Sequence, residues 1–139
     1  MPPKKQSSNP NRKKLLKKLE KLQRLYVIRR DGSCALTHID PLQNGCSDVL
    51  QADHLVTKKE GNMLTRFDIR NLNLLCSSHN MVKQWRTRCS RELAKIVDQR
   101  YGQGTTEYLD GIARMKTAHK LSIQDIEDKI KECEEYLNG

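Results

Sequence analysis

Aromatic side chains are scarce in this chain, with one Trp, one Phe and four Tyr in 139 residues. That scarcity excludes a large aromatic core, and the length suits one modest domain with helical additions. No apolar run approaches the roughly 18–20 residues that a membrane span needs. The opening stretch, MPPKKQSSNPNRKK, lacks the apolar run of a secretory signal. A soluble, cytoplasmic protein with no membrane partner is therefore expected. The cysteines, at 34, 46, 76, 89 and 133, are odd in number. Without a secretory signal this argues against a disulfide framework and leaves metal ligation or buried thiols. No repeat of fixed period is present. Acid is nearly missing from the first thirty residues, where Glu20 stands against eleven Lys and Arg.

The net charge of +9 is thus unevenly spread: +10 over residues 1–30, +3 over 31–120 and −4 over 121–139. A cationic arm ahead of a near-neutral body points to a polyanionic partner, nucleic acid foremost. The plain alternative is a solvated basic helix that aids solubility.

Residues 1–11 read as a disordered basic tail and 12–30 as a basic amphipathic helix. Leu15, Leu19, Leu22 and Tyr26 share one face of that helix, while Lys14, Lys17, Lys18, Lys21 and Arg24 cover much of the rest. Asp31-Gly32 signals a turn. A Pro/Asn/Gly-rich loop follows Cys34 and leads to Cys46. Residues 48–56 read as a strand, 57–62 as a turn and 63–67 as a second strand. Ser77 or Ser78 is placed to cap a helix reaching about Arg86. Beyond residue 88 the chain reads as helical to its end. A helix from Ser90 to Tyr101 is broken by Gly102 and Gly104. The next begins at Thr105, with Tyr108, Leu109, Ile112 and Met115 inward. In the last, Ser122-x-x-Asp125 forms a capping box ahead of the stripe Ile126, Ile130, Cys133 and Leu137.

Within residues 31–88 several side chains have little use in a packed core. Cys76-x-x-His79 has the spacing of a zinc knuckle, because two intervening residues let a tight turn aim both ligands at one ion. Cys34 is the first choice to open the second pair, with His38 or Cys46 beside it. A structural Zn²⁺ on Cys34, His38, Cys76 and His79 would tie the start of the domain to its helix, which suits a domain short of core. Each residue alone also reads as an ordinary buried thiol or incidental histidine. Asp53-His54 close the first strand, and Asn80 opens the helix. Asp53 and Asn80 offer the oxygen ligands that Mg²⁺ or Mn²⁺ prefers, and His54 has the chemistry of a general base.

Together and in this order these residues resemble the HNH endonuclease, or ββα-metal, family. The pattern is Asp53-His54 at a strand end, then Asn71-Leu72-Asn73-Leu74-Leu75-Cys76, then Ser77-Ser78-His79-Asn80 and Lys83. "YVIRRDGSC", "RFDIRNLNLLC" and "ELAKIVDQRYG" are also similar to the layout of lambda-type phage NinG (Rap) recombination nucleases. Phage endonuclease VII is similar in placing Asn directly after the second zinc pair. The sequence departs from the family pattern in having His79 for the usual second Cys. It also has Thr37 where the upstream knuckle carries its second Cys, and Asn80 for the commoner terminal His.

The resemblance implies an α+β, mostly helical protein. Its centre would be a small zinc-stabilised ββα-metal core at 31–88, between the N-terminal basic helix and a C-terminal helical region at 89–139. It further implies hydrolysis of DNA, on branched or recombination-intermediate substrates such as Holliday junctions, D-loops or flaps, in a phage-infected host cytoplasm. His54 would deprotonate water, Asp53 and Asn80 would hold Mg²⁺ or Mn²⁺, and Asn71 would fix His54 across the loop. Products would carry 5′-phosphate and 3′-hydroxyl. Lys14, Lys17, Lys18, Lys21, Arg66, Arg70 and Lys83 are the candidate DNA contacts. Two alternatives stand beside this reading: an HNH nicking or homing-type nuclease on ordinary duplex, and a non-catalytic zinc-stabilised DNA-binding module. A homodimer is expected as well, since one such site cuts one strand. Its contacts would be the leucine face of helix 12–30 or the stripe of the last helix.

Overall fold

The leucine face of the first helix finds its partner at the far end of the chain. The computed structural model describes residues 10–37, 46–83, 87–115 and 121–139. Helix α1 spans Pro10–Asp31. It starts earlier than the expected residue 12, with Pro in the first turn where its missing N–H costs nothing. The expected tail over residues 1–9 lies outside the described residues. The last helix, Ile123–Asn138, opens with the Ser122/Asp125 capping box. Its Ile126, Ile130 and Cys133 are buried with Leu19 of α1, and Leu15, Leu16, Leu22 and Tyr26 pack around them. Each fully buried Leu or Ile contributes roughly 2 kcal/mol, so this helix pair is a main source of stability. Around the seam, Lys18 lies 3.8 Å from Glu134, and the Tyr26 and Tyr136 rings stack at 4.0 Å. Arg29 donates to the carbonyls of Tyr136 and Leu137 at 3.0 and 2.6 Å, a cation at a helix C-terminus.

The leucine face and the stripe of the last helix, the two surfaces expected to make dimer contacts, pack against each other inside one chain, with Lys18 and Glu134 paired beside them. An intramolecular partner carries none of the translational and rotational cost of recruiting a second copy.

Between these helices the chain builds a two-stranded antiparallel sheet. Strand β1, Leu50–His54, pairs with β2, Leu72–Cys76, from Leu50 opposite Cys76 to His54 opposite Leu72. The second strand is therefore not the expected 63–67. Met63–Arg66 is instead a short helix, α2. Asn62 caps it, accepting from the backbone N–H groups of Leu64 and Thr65 while Thr65 reaches back to the Asn62 N–H. That reciprocal cap outweighs the strand preference of a five-residue apolar run. A 3₁₀ turn at Ile69–Asn71 then feeds β2.

All five residues of β2 are buried. Val27 of α1 covers Leu72 and Leu74. The outer edge of β2 is closed as well: Leu74 accepts from the Ala35 N–H at 2.8 Å and donates to the Asp31 carboxylate at 2.9 Å. Asp31 is more than a turn signal. Its side chain is only 3% exposed, and it holds Arg30 and Arg100 at 2.7 and 3.2 Å. Gly32 follows at φ +71, the left-handed position that ends a helix and favours glycine.

Helix α3 spans Ser77–Lys83, and 84–86 of its expected course lie outside the described residues. Helix α4, Thr87–Tyr101, starts before the expected Ser90, and α5 spans Thr105–Ala113; the last helix is α6. Leu93 of α4 packs with Leu75 on the second face of the sheet, and Val97 packs with Leu109 of α5. Tyr108 and Met115, expected inward, are exposed. Residues 108 and 109 stand about 100° apart on a helix, so Leu109 takes the core. Tyr108 lies instead against the Arg70 guanidinium, 5.1 Å from its carbon. The chain is thus mostly helical around a small sheet. Among the described residues no helix is long and apolar enough to cross a membrane.

Candidate functional site

Four ligand-type side chains converge from four places in the chain. Cys34 follows the Gly32 turn, Cys46 precedes β1, Cys76 ends β2, and His79 lies in the first turn of α3. Their ligand atoms all lie within 4.8 Å of one another. The His79 Nδ1 is 3.5, 3.4 and 3.1 Å from the sulfurs of Cys34, Cys46 and Cys76. Zn–S and Zn–N bonds of about 2.3 and 2.05 Å at tetrahedral angles put S and N about 3.5 Å apart. Donor set and spacing therefore both fit zinc. Four protein ligands leave no open position, so the ion would be structural.

Burial pushes the Cys76 thiol up, but the His79 N–H and other donors to its sulfur outweigh it and bring it to about 6. Burial and the neighbouring Cys34 and Cys76 drive Cys46 up to about 12. One ready thiolate crowded by reluctant thiols is a conflict that a shared cation relieves, because cysteines bind metal deprotonated. Cys46 thus joins Cys34, Cys76 and His79 in the place first given to His38, which lies outside the described residues.

The second site is built on the turn after β1. Asn71 is wholly buried. Its carboxamide oxygen accepts from the Val56 N–H at 2.7 Å, and its nitrogen donates to the carbonyls of Val56 and Thr65, each at 3.0 Å. This one side chain clamps both ends of the 56–65 segment. The next carbonyl, that of Arg66, accepts from His54 Nε2 at 2.9 Å. A proton held on Nε2 leaves the basic lone pair of the imidazole at Nδ1. Burial lowers the His54 pKa below its ordinary value, against the opposing pull of the Arg66 carbonyl and with help from the Lys58 charge. The ring is therefore neutral at neutral pH.

His54 lines an open cleft of about 620 Å³ that also reaches Asn80. The Asn80 nitrogen donates to Gln51 at 2.8 Å, while its buried Oδ1 has no hydrogen-bond partner among the described residues. An orphaned carboxamide oxygen is what a hard cation would complete. Asp53 stands opposite Asn73 on the sheet and does not line this cleft. Five basic side chains do: Lys17, Lys21 and Arg24 from α1, with Lys58 and Arg66 from the facing segment; Glu20 is the acid among them.

The expected DNA contacts divide accordingly. Lys17, Lys21 and Arg66 face the cleft. Lys14 and Lys18 do not, and Lys18 turns to Glu134 on α6. Arg70 is bound to both oxygens of Asp68 at 3.0 and 2.7 Å, away from the cleft. The Lys83 side chain lies outside the described residues. Sequence reasoning did not count Lys58, or Arg24 of the basic helix face, among the DNA contacts. Arg24 was visible as the next turn after Lys17 and Lys21, whereas nothing local to Lys58 announces that its loop faces α1. No protein-family model, curated protein or solved structure matches this chain.

Proposed function

We propose that this protein is a metal-dependent endonuclease of the HNH kind that hydrolyses DNA phosphodiesters. The observation that carries the reading is the content of one cleft: a neutral, backbone-anchored imidazole, a buried unpartnered carboxamide oxygen and five basic side chains. His54 takes a proton from water at Nδ1, and the resulting hydroxide attacks phosphorus as the P–O3′ bond breaks. The 3′-oxygen leaves and takes a proton from solvent, giving 5′-phosphate and 3′-hydroxyl ends. On the cleft, Asn80 is the residue that would hold Mg²⁺ or Mn²⁺, whose chemistry is to stabilise charge on the phosphate and the leaving oxygen; Asp53, the other expected ligand, stands off it. Asn71 fixes the loop that anchors His54. Lys17, Lys21 and Arg24 bind the backbone on either side of the scissile bond.

The Cys₃His cluster would hold a structural Zn²⁺. Branched DNA is the proposed substrate class, on the strength of the family resemblance. The standing of Asp53 off the cleft favours the rival reading, a zinc-stabilised DNA-binding module without catalysis. A cleavage assay decides between them, using duplex, flap, D-loop and four-way-junction DNA with and without Mg²⁺. Mg²⁺-dependent strand cutting that His54→Ala abolishes while binding survives is the expected result. Binding without cutting on every substrate in Mg²⁺ or Mn²⁺ would leave the DNA-binding module.

A further inference from the structure

Glu20 is the single acid among eleven bases in the first thirty residues, and it points into the basic cleft. Its Oε1 accepts from Arg66 Nη2 at 3.2 Å and lies 3.5 Å from Lys58 Nζ. One anionic oxygen from α1 bridges two cations of the facing segment, which is how a phosphate oxygen would sit. The guanidinium is only partly used. Arg66 Nε is buried and has no hydrogen-bond partner among the described residues. Nε and Nη2 form the edge of arginine that takes two oxygens of one anion. Glu20 engages that edge with a single oxygen, whereas a phosphodiester brings two non-bridging oxygens.

We propose that Lys58 and Arg66 form a phosphodiester-binding subsite beside His54, and that Glu20 occupies it until nucleic acid displaces the carboxylate. The inference rests on the nucleic-acid reading above and deepens it.

The contact is built to be exchanged. The side chains of Glu20, Lys58 and Arg66 are 51%, 53% and 37% exposed, and ion pairs so wet contribute little to stability. Their surroundings are fixed. Glu20 stands on α1 between buried Leu19 and buried Gln23, whose nitrogen donates to the Phe67 carbonyl at 2.8 Å. On the other side, a Cβ at Gly61 would come within 2.2 Å of Thr65 Oγ1, so the Lys58 loop lies tight on the cap of α2. Glu20 can therefore leave by changing its own rotamer, with the backbone on both sides held. The Arg66 carbonyl orients His54, so a phosphate on the Arg66 guanidinium is anchored by the residue that orients the base. The Glu20 carboxylate thereby acts as an internal competitor that only a polyanion, gripped at the same time by Lys17, Lys21 and Arg24, displaces readily.

The test is fluorescence-anisotropy binding of a short DNA duplex and a four-way junction to zinc-loaded protein in Mg²⁺-free buffer, across a salt series. Glu20→Gln should bind about three- to fivefold more tightly, the range set by a partly exposed ion pair. Its log-affinity against log-salt slope should steepen by about 0.9, one further phosphate. In a Lys58→Gln/Arg66→Gln background, which keeps the Arg66 carbonyl, the same change should give no gain. Unchanged affinity in Glu20→Gln overturns the subsite. So does an equal gain in the background lacking both cations, because the effect would then be net charge at a distance. Failure of every variant to bind DNA overturns the subsite together with the nucleic-acid reading. The expected gain without cleavage in Mg²⁺ upholds the subsite and overturns the nuclease chemistry.

Discussion

Removing the Asn71 side chain tests whether the loop around His54 is held as described. Three hydrogen bonds link it to the backbone of Val56 and Thr65, and the residue is 0% exposed. Truncation to Ala loses those bonds and strands the N–H and carbonyl of Val56, while the Thr65 carbonyl keeps the Asp68 N–H at 3.3 Å. At about 1–3 kcal/mol for each of the two groups left buried without a partner, and about 1 for the bond lost to Thr65, the cost is about 3–7 kcal/mol. Asn71→Leu should lie at the upper end, because it fills the space a rescuing water would take. Asn71→Asp keeps the acceptor for Val56 but turns oxygen toward two carbonyls, so it should be no milder than Ala. For a domain of this size the loss is a fall in melting temperature of about 10–30 °C. Calorimetry or urea unfolding of the zinc-loaded protein reads it directly. A melt for Asn71→Ala within about 3 °C of wild type would refute the clamp. In that event the support for the orientation of His54 would fall too.

Zinc should copurify at about one ion per chain. Cys46→Ala and Cys76→Ser should lose it and melt far lower, whereas Cys89→Ala, a buried cysteine outside the cluster, should keep it. Full zinc in Cys46→Ala, with loss in His38→Ala, would exchange the fourth ligand. Changing Lys17, Lys21 and Arg24 together to Gln should flatten the salt dependence of DNA binding by about two to three, at roughly 0.9 per phosphate released. Lys14→Gln/Lys18→Gln should change it less, and equal effects would show that the cleft is not the DNA path. As a general base His54 would work unprotonated, and burial lowers its pKa below the ordinary 6.5. Cleavage should accordingly be fully present above 6.5 and fall away only as pH drops through the lowered value. A half-activity point above pH 7 in a pH-rate profile would contradict the neutral imidazole.

Much of this molecule is written in local sequence. Helical spacing alone marks the Leu15, Leu19, Leu22 and Tyr26 face and the Ile126, Ile130 and Cys133 stripe, because side chains three and four apart share a helix surface. Ser122-x-x-Asp125 announces the start of α6, and Cys76-x-x-His79 announces two ligand-type side chains on one turn. The rest depends on contacts between distant segments. No periodicity says that α1 and α6 cover each other rather than a second copy; charge and chain connectivity decide it in the folded state. The strand at 63–67 gave way to α2 because the Asn62–Thr65 cap satisfies backbone donors that a strand would have had to pair elsewhere. Asp31 reads as a turn residue until Leu74, Arg30 and Arg100 are gathered around it. Cys46 joins the Cys/His cluster only when the start of β1 meets the end of β2. The cleft itself belongs to no stretch of sequence: α1 brings Lys17, Glu20, Lys21 and Arg24, β1 brings His54, and the segment after it brings Lys58 and Arg66. Spacing fixes which residues share an element; packing fixes which elements face each other, and that sets the charge and hydrogen bonding around His54.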